Sequence, residues 1–355
     1  MQSLFEKVKQ MGHEQVVFCH DPNSGLNAII AIHNTTLGPA LGGTRVWNYN
    51  SDEDAIIDAL RLSRGMTYKN AISGLNIGGG KAVIIADPSM KSELLWRRYG
   101  RFVNSLNGKY ITAEDVNTNT SDMEFVSLET KFVTGVPEYA GGSGDPSPFT
   151  ATGVYMGMKA SAKKAYGSDS LVGKKVLIQG AGHVGQYLIG HLVAEGAKVM
   201  VSDIDPAKIK SAVEKYRNVE VVDNAGIFDL DMDIYAPCAL GATLNEDSIK
   251  RLKCAIIAGA ANNQLADENV HGPMLVEKGI LYGPDFLINA GGVINVAAEL
   301  DGYNLGKVNS AVEKIYDRTL DIYALAEKEN THTQAAAMIM AQKRLDNIAQ
   351  LKTRM

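Results

Sequence analysis

An α/β protein of two domains is expected from three features of the chain. It has 355 residues, more than one hydrophobic core normally organises, so two domains are the natural division. Residues 174–205, "KKVLIQGAGHVGQYLIGHLVAEGAKVMVSDID", read as strand, glycine turn, helix and strand in succession, the pattern of a parallel βαβ unit. Between residues 135 and 150 the composition shifts to "GVPEYAGGSGDPSPFT", a Gly-, Pro- and Ser-rich stretch of linker or hinge type. The first domain is placed at 1–140 and the second at 141–330.

In the first domain, "EQVVFCHD" (14–21) and "LNAIIAIHN" (26–34) are β-rich runs separated by "PNSG", a hairpin pattern. "SDEDAIIDALRLSRGMTYKNAI" (51–72) is helical, with Ser51 as cap, acids in the first turn and Ala55, Ile56, Ala59, Leu60, Ser63 and Met66 on one face,. Lys69 falls near the end of that helix. "KAVIIAD" (81–87) is a strand that starts at Lys81, and "GKYITAEDVNT" (108–118) is a strand running into a polar loop that holds Asp115. Lys69, Lys81 and Asp115 thus lie at the edges of regular elements, from which a rigid scaffold can aim them. "TATGVYMGMKASAKKAYG" (150–167) is a helix, and "TQAAAMIMAQKRLDNIAQL" (333–351) has the apolar spacing of a docking helix,.

Composition excludes several functions. A formal net charge of −5 with no basic run offers no field for nucleic acid. The N-terminal segment has no apolar signal-peptide core and no stretch reaches a membrane-spanning length, so a cytoplasmic protein without a membrane partner is expected. Cys19, Cys238 and Cys254 are far apart and set among apolar residues, which reads as reduced thiols. No His, Cys or carboxylate cluster has ligand spacing, so no metal is expected.

Gly180, Gly182 and Gly185 form G-x-G-x-x-G directly after the strand Val176–Ile178 and before a helix. The spacing alone is weak, but here each glycine stands where the dinucleotide motif needs a tight turn, close approach to a pyrophosphate, or close helix–strand packing. The next strand ends at Asp203, where an acid can accept hydrogen bonds from a ribose and repel a 2′-phosphate. NAD is the expected cofactor, with Ala181, His183 and Val184 in the loop and Ile204 beside the acid as further contacts. NADP and a purely structural glycine turn are the competing readings.

"GLNIGGGKAVII" (74–85) sets three glycines against Lys81. Ala82 stands where a Mg-nucleotide P-loop needs a hydroxyl, so Lys81 is not a phosphate-loop lysine. It is either a solvated amine or a reactive group, and the glycines before it would allow a ligand to approach closely.

Eight segments in order, "TTLGPALGGTR" (35–45), "GMTYKNA" (65–71), "GGGKAVI" (78–84), "TAEDVNT" (112–118), "GAGHVG" (180–185), "APCALGA" (236–242), "AGAANNQL" (258–265) and "PDFLINAGGVINV" (284–296), resemble the glutamate/leucine/phenylalanine/valine dehydrogenase family, most closely its leucine-acting members. The resemblance implies a substrate and oligomerisation domain and a Rossmann-type NAD domain separated by a cleft, with residues 331–355 returning to the first domain. It implies a homo-oligomer, often an octamer, and reversible oxidative deamination of an L-amino acid to a 2-oxo acid and ammonia. Lys69 resembles the lysine that holds the substrate carboxylate, Lys81 the catalytic lysine and Asp115 the proton-relaying carboxylate. Two neighbouring ammonium groups would lower one another's basicity. Asn262 and Asn289 match positions near the nicotinamide, and closure about 135–150 would complete the site.

By the same resemblance Leu41, Gly42, Ala113, Val293 and Val296 surround the substrate. The side chains are apolar, which disfavours glutamate. Ala113 and Val293 imply a branched aliphatic substrate, where aromatic-acting relatives tend to carry glycine and leucine; an aromatic substrate is the alternative. Departures from the family pattern are Ala181 and His183 in the glycine loop, the latter beside the expected pyrophosphate, Asn117, where a glycine is common, and Phe286, where a tyrosine is common. A catalytically silent NAD-sensing protein is the rival class, opposed by the complete set of Lys69, Lys81 and Asp115.

Overall fold

The computed structural model describes residues 3–352. The chain divides into two compact units, one of Met1–Pro146, Asn295–Asn304 and Ala341–Met355, the other of Ser147–Ile294 and Leu305–Met340. Relative to a division at 140 with a return from 331, the segment Asn295–Asn304 is an additional excursion into the first unit, and the return joins that unit only from Ala341. Glu299 ties the excursion in. Its carboxylate accepts from the N–H of Gly135 at 3.1 Å and from the N–H of Ser143 at 2.8 Å.

The first unit contains α1 (Leu4–Met11), β1 (Gln15–Asp21), β2 (Leu26–Asn34), β3 (Ala40–Trp47), α2 (Asp52–Ile72), β4 (Gly78–Ile85), α3 (Glu93–Ser105), β5 (Tyr110–Glu114) and α4 (Thr120–Ser127). Its sheet has the order β1-β2-β4-β3-β5. The β1–β2 and β2–β4 pairs are antiparallel, and β3 runs parallel to both neighbours. Ser51 caps α2 by accepting from the Asp54 N–H. Ala55, Ala59 and Leu60 of α2 pack with Ile29, Ala31 and Val83 on one face of the sheet. The other face carries Ile30, Ile32, Ala82 and Ile84, covered by Trp96, Tyr99, Val103, Met123 and Val126 of α3 and α4. Burial of large side chains on both faces, each worth about 1.5–3 kcal/mol, holds the layers together.

The second unit opens with α5 (Ser147–Tyr166), followed by β6 (Lys175–Gln179), α6 (His183–Glu195), β7 (Lys198–Ser202), β8 (Val219–Val221), β9 (Ile234–Pro237), β10 (Ile256–Ile257) and β11 (Leu281–Tyr282). The sheet order is β11-β10-β9-β6-β7-β8 and every pairing is parallel. The chain runs outward from β6 through β7 and β8, then reverses to β9 on the other side. The carboxyl end of β6 is therefore the switch point at which such sheets bind ligands.

Among the described residues no helix is long and apolar enough to cross a membrane, and no cluster of His, Cys, Asp or Glu has the geometry to hold a metal ion. The three cysteines are unpaired thiols.

Candidate active site

The glycines before Lys81 are strand, not loop: β4 begins at Gly78. A Cβ on Gly78 would lie 2.1 Å from the Asn34 carbonyl oxygen, one on Gly79 2.1 Å from the Thr67 nitrogen, and one on Gly80 2.7 Å from the Tyr110 ring. What these glycines admit is neighbouring protein, not a ligand. They let α2 settle directly on the strand, where the Asn70 amide donates to the Gly78 carbonyl at 2.6 Å.

That packing buries Lys81, which is 4% exposed. Its Nζ lies 2.7 Å from Oδ2 of Asp115, just past the end of β5. Strand β3 runs between β4 and β5, and the register that pairs Leu41 with Gly79 and Gly43 with Ala113 sets Gly43 beside Lys81. Gly43 has no room for a side chain: a Cβ there would stand 2.3 Å from the Glu114 carbonyl oxygen and 2.9 Å from the Asp115 Cβ. The lysine reaches the carboxylate across a strand that is bare at that point.

A second cation meets the same oxygen. Arg45 Nε donates to Asp115 Oδ2 at 3.0 Å, while its Nη1 donates to Asp58 Oδ2 at 2.9 Å. Asp58 also accepts from the Tyr49 hydroxyl at 2.7 Å and from Arg61 at 3.1 Å. Burial lowers the basicity of Lys81; the Asp115 carboxylate opposes that shift, and the Arg45 guanidinium adds to it. The Arg45 guanidinium is a like charge beside Lys81. Burial alone would raise the Asp115 carboxyl, but Lys81 and Arg45 outweigh it and hold it down at about 2. Glu114, next in line, goes the other way: burial and the carboxylates of Asp145, Asp115, Asp122 and Glu299 push it up to about 7.

Lys69 is half-buried in the last turn of α2, with its carbonyl accepting from Ser73 at 2.6 Å. Leu41 and Ala113 are 1% and 5% exposed. The place of a Gly42 Cβ is filled by the Gly80 carbonyl at 1.7 Å, and the Gly42 carbonyl accepts from the Tyr110 hydroxyl at 2.6 Å. Val293 is half-buried and Val296 buried, one turn apart in the helix Gly291–Ala297. Asn117 has φ 61°, a left-handed conformation that explains why glycine serves there and why asparagine replaces it without strain. Its amide donates to the Val46 carbonyl at 3.0 Å.

In the second unit the glycine loop lies at the switch point, between β6 and α6. Gly180 has φ +112°, and a Cβ on it would lie 2.8 Å from the Ala239 nitrogen; one on Gly185 would lie 2.0 Å from the Gly180 carbonyl oxygen. These two serve the turn and the helix packing. At Gly182, the N-cap of α6, a Cβ would meet nothing within 4 Å, and no side chain caps the first turn. An open backbone at the start of a 13-residue helix suits a pyrophosphate. Asp203 follows β7 and accepts from the Ala181 N–H at 2.7 Å and from the Asp205 N–H at 2.8 Å. Ala181 is fully buried, Val184 half-buried, His183 exposed at the first position of α6, and Ile204 87% exposed. Asn289 donates to the Asn262 side chain at 2.8 Å and to the Ala260 carbonyl at 3.1 Å. These residues fit a dinucleotide.

A parallel sheet with this loop at its switch point, joined to a mixed-sheet unit carrying a buried Lys–Asp pair, defines a two-unit α/β oxidoreductase. Residues 13–132 match the family profile described as Glu/Leu/Phe/Val dehydrogenase, dimerisation domain, and residues 141–352 match Glutamate/Leucine/Phenylalanine/Valine dehydrogenase. The chain is 54% identical over 344 residues to leucine dehydrogenase of Thermoactinomyces intermedius, covering 97% of this chain and 93% of that one. It is 49% identical to valine dehydrogenase of Streptomyces coelicolor, with 95% and 93% covered. The crystal structure of L-tryptophan dehydrogenase from Nostoc punctiforme superposes with a TM-score of 0.86 at 48% identity, over 98% of this chain and 100% of that one. The chain belongs to the Glu/Leu/Phe/Val dehydrogenase family and is an amino acid dehydrogenase.

Arg45, Asp58 and Gly43 are the residues of this site that sequence reasoning missed. Alternation along β3 places Leu41, Gly43 and Arg45 on the face of Lys81, but nothing local points to Asp58 or to its link with Asp115 through Arg45.

Proposed function

We propose that the chain catalyses reversible, NAD-dependent oxidative deamination of a branched-chain aliphatic L-amino acid, leucine, valine or isoleucine, to the 2-oxo acid and ammonia. The observation that carries this reading is the buried Lys81–Asp115 pair at 2.7 Å, on the same chain as a glycine loop fitted to a dinucleotide. The first unit takes the substrate. Lys69 holds its carboxylate, and Leu41, Gly42, Ala113 and Val296 of that unit line its side chain, with Val293 assigned to specificity by the family resemblance.

The loop Gly180–Gly185 with Asp203, Ile204, Asn262 and Asn289 holds the dinucleotide, which when bound supplies the hydride acceptor. Lys81, its basicity lowered by burial, takes a proton from the water that attacks the substrate's imine carbon. Asp115, kept ionised by two cations, passes protons to and from the amine nitrogen. The acid at Asp203 supports NAD over NADP, since it would repel a 2′-phosphate.

An apolar lining would leave a second substrate carboxylate unpaired, which disfavours glutamate. Leucine and valine dehydrogenases among the relatives support the aliphatic reading. A second reading, an aromatic substrate, is supported by an L-tryptophan dehydrogenase 50% identical over 351 residues. Assembly as a homo-oligomer is supported by the dimerisation description of the profile matching residues 13–132, and an octamer is the form we propose.

The test of the site is Lys81→Ala. The variant should bind NADH with unchanged affinity by fluorescence titration and lose deamination of L-leucine; retained turnover would return Lys81 to a structural role.

A further inference from the structure

We propose that Arg45 is the positioning residue of this site: braced by Asp58, it fixes the Asp115 carboxylate against Lys81 throughout the reaction. The inference rests on reading Lys81 and Asp115 as the reacting pair.

Asp115 needs such a brace because of where it stands. It follows the last residue of β5 and opens a turn in which its own N–H bonds to the Thr118 hydroxyl at 2.7 Å, so the sheet ladder no longer fixes it. Among the described residues its other salt-bridge partner is Lys81. If Lys81 gives up its proton during turnover, that attraction weakens at the moment when the carboxylate has to stay in place. A guanidinium keeps its charge at any working pH and presents several donors in a fixed fork. Arg45 uses that fork to span two carboxylates, Asp115 at 3.0 Å and Asp58 at 2.9 Å. Asp58 is itself held by the Tyr49 hydroxyl and Arg61. A lysine at position 45 would supply the charge but could not make both bonds in this geometry.

The same guanidinium favours ionised Asp115 and disfavours protonated Lys81. Among the described residues, the charged and titratable groups coupled to the pair or to Arg45 include Tyr49 after β3, Asp58 and Arg61 of α2, and Tyr110 and Glu114 of β5, and Lys69 lies further along α2. Removing Arg45 should therefore move both ionisations of the pair to higher pH.

The experiment measures the pH dependence of kcat/KM and kcat for wild type, R45M, R45K and K81A, with NADH binding and thermal unfolding as controls. R45M should retain NADH affinity, lose kcat on the order of tenfold or more, and shift its pH profile upward by about one unit. R45K should restore the position of the profile while recovering kcat only in part, a pattern that a merely structural role would not produce. If R45M does not fold, R45M/D58N removes both charges together and is read in the same way. A folded variant lacking the cation with wild-type kcat and pH profile would overturn the proposal. K81A separates the two failures: if K81A still turns over, the reading of the reacting pair is lost; if K81A is dead and R45M is unchanged, only the role of Arg45 is lost.

Discussion

Gly43→Ala isolates how far activity depends on strand spacing. The added methyl would lie 2.3 Å from the Glu114 carbonyl oxygen, whereas ordinary contact begins at 3.4 Å. The end of β5 must then retreat by roughly 1 Å, a displacement that can cost about a hundredfold in rate when it moves a reacting group. Crowding of this kind also destabilises by about 1–3 kcal/mol. Gly65→Ala is the matched control: Gly65 lies in the middle of α2, exposed, with nothing within 4 Å of the added atom. There the change should stabilise by roughly 0.5–1 kcal/mol through helix propensity and leave kcat alone. The assays are initial rates of NADH formation with L-leucine and thermal unfolding, with NADH fluorescence confirming that the second unit is untouched. A folded G43A enzyme with full kcat would refute the reasoning that this strand sets the position of Asp115.

The glycine loop yields a contrast of its own. Gly185→Ala, whose methyl would meet the Gly180 carbonyl at 2.0 Å, should lower the melting temperature and abolish NADH binding, while Gly182→Ala, with open space around it, should fold normally and only weaken NADH binding; equal stability of the two would contradict the assignment. A third expectation concerns acid. Burial holds both His13 and His33 down at about 4, so the unfolded chain takes up protons below its ordinary 6.5 and the folded chain does not. Their contribution is fully present above that value and is lost as pH falls toward 4. Glu114, held up at about 7, acts in the opposite sense over much of the same range, so urea unfolding of His33→Gln against wild type from pH 7.5 to 5 isolates the histidine. The variant should lose less stability across that range, and an identical slope would show that His33 is not buried in its neutral form.

Local pattern carried much of this molecule. The β1–β2 hairpin, α2 with its Ser51 cap and the β6–α6–β7 unit each depend on contacts close in sequence, and each was legible from spacing and turn residues. The remainder depends on distant neighbours. Gly78, Gly79 and Gly80 look like a loop because nothing nearby shows that Asn34, Thr67 and Tyr110 close on them. Strands β10 and β11 have two residues each, too few to show any alternation. The excursion Asn295–Asn304 carries no composition shift, and the bonds that hold it to its unit, from the Gly135 and Ser143 N–H groups to the Glu299 carboxylate and from the Asn295 amide to the Ser143 carbonyl, join residues more than 150 positions apart. At the site, Lys81 and Asp115 were legible through resemblance, whereas the guanidinium bridging Asp115 to Asp58 emerges only when β3, β5 and α2 are folded together.

The most direct test of the central claim is the initial rate of NADH or NADPH formation by the purified protein with L-leucine, L-valine, L-isoleucine, L-phenylalanine, L-tryptophan and L-glutamate, each supplied with NAD and with NADP. The account predicts fastest turnover of the branched aliphatic amino acids with NAD and the slowest with glutamate. Fastest turnover of phenylalanine or tryptophan would contradict the assignment of Ala113 and Val293 as the residues that set specificity, and a preference for NADP would contradict the role given to Asp203.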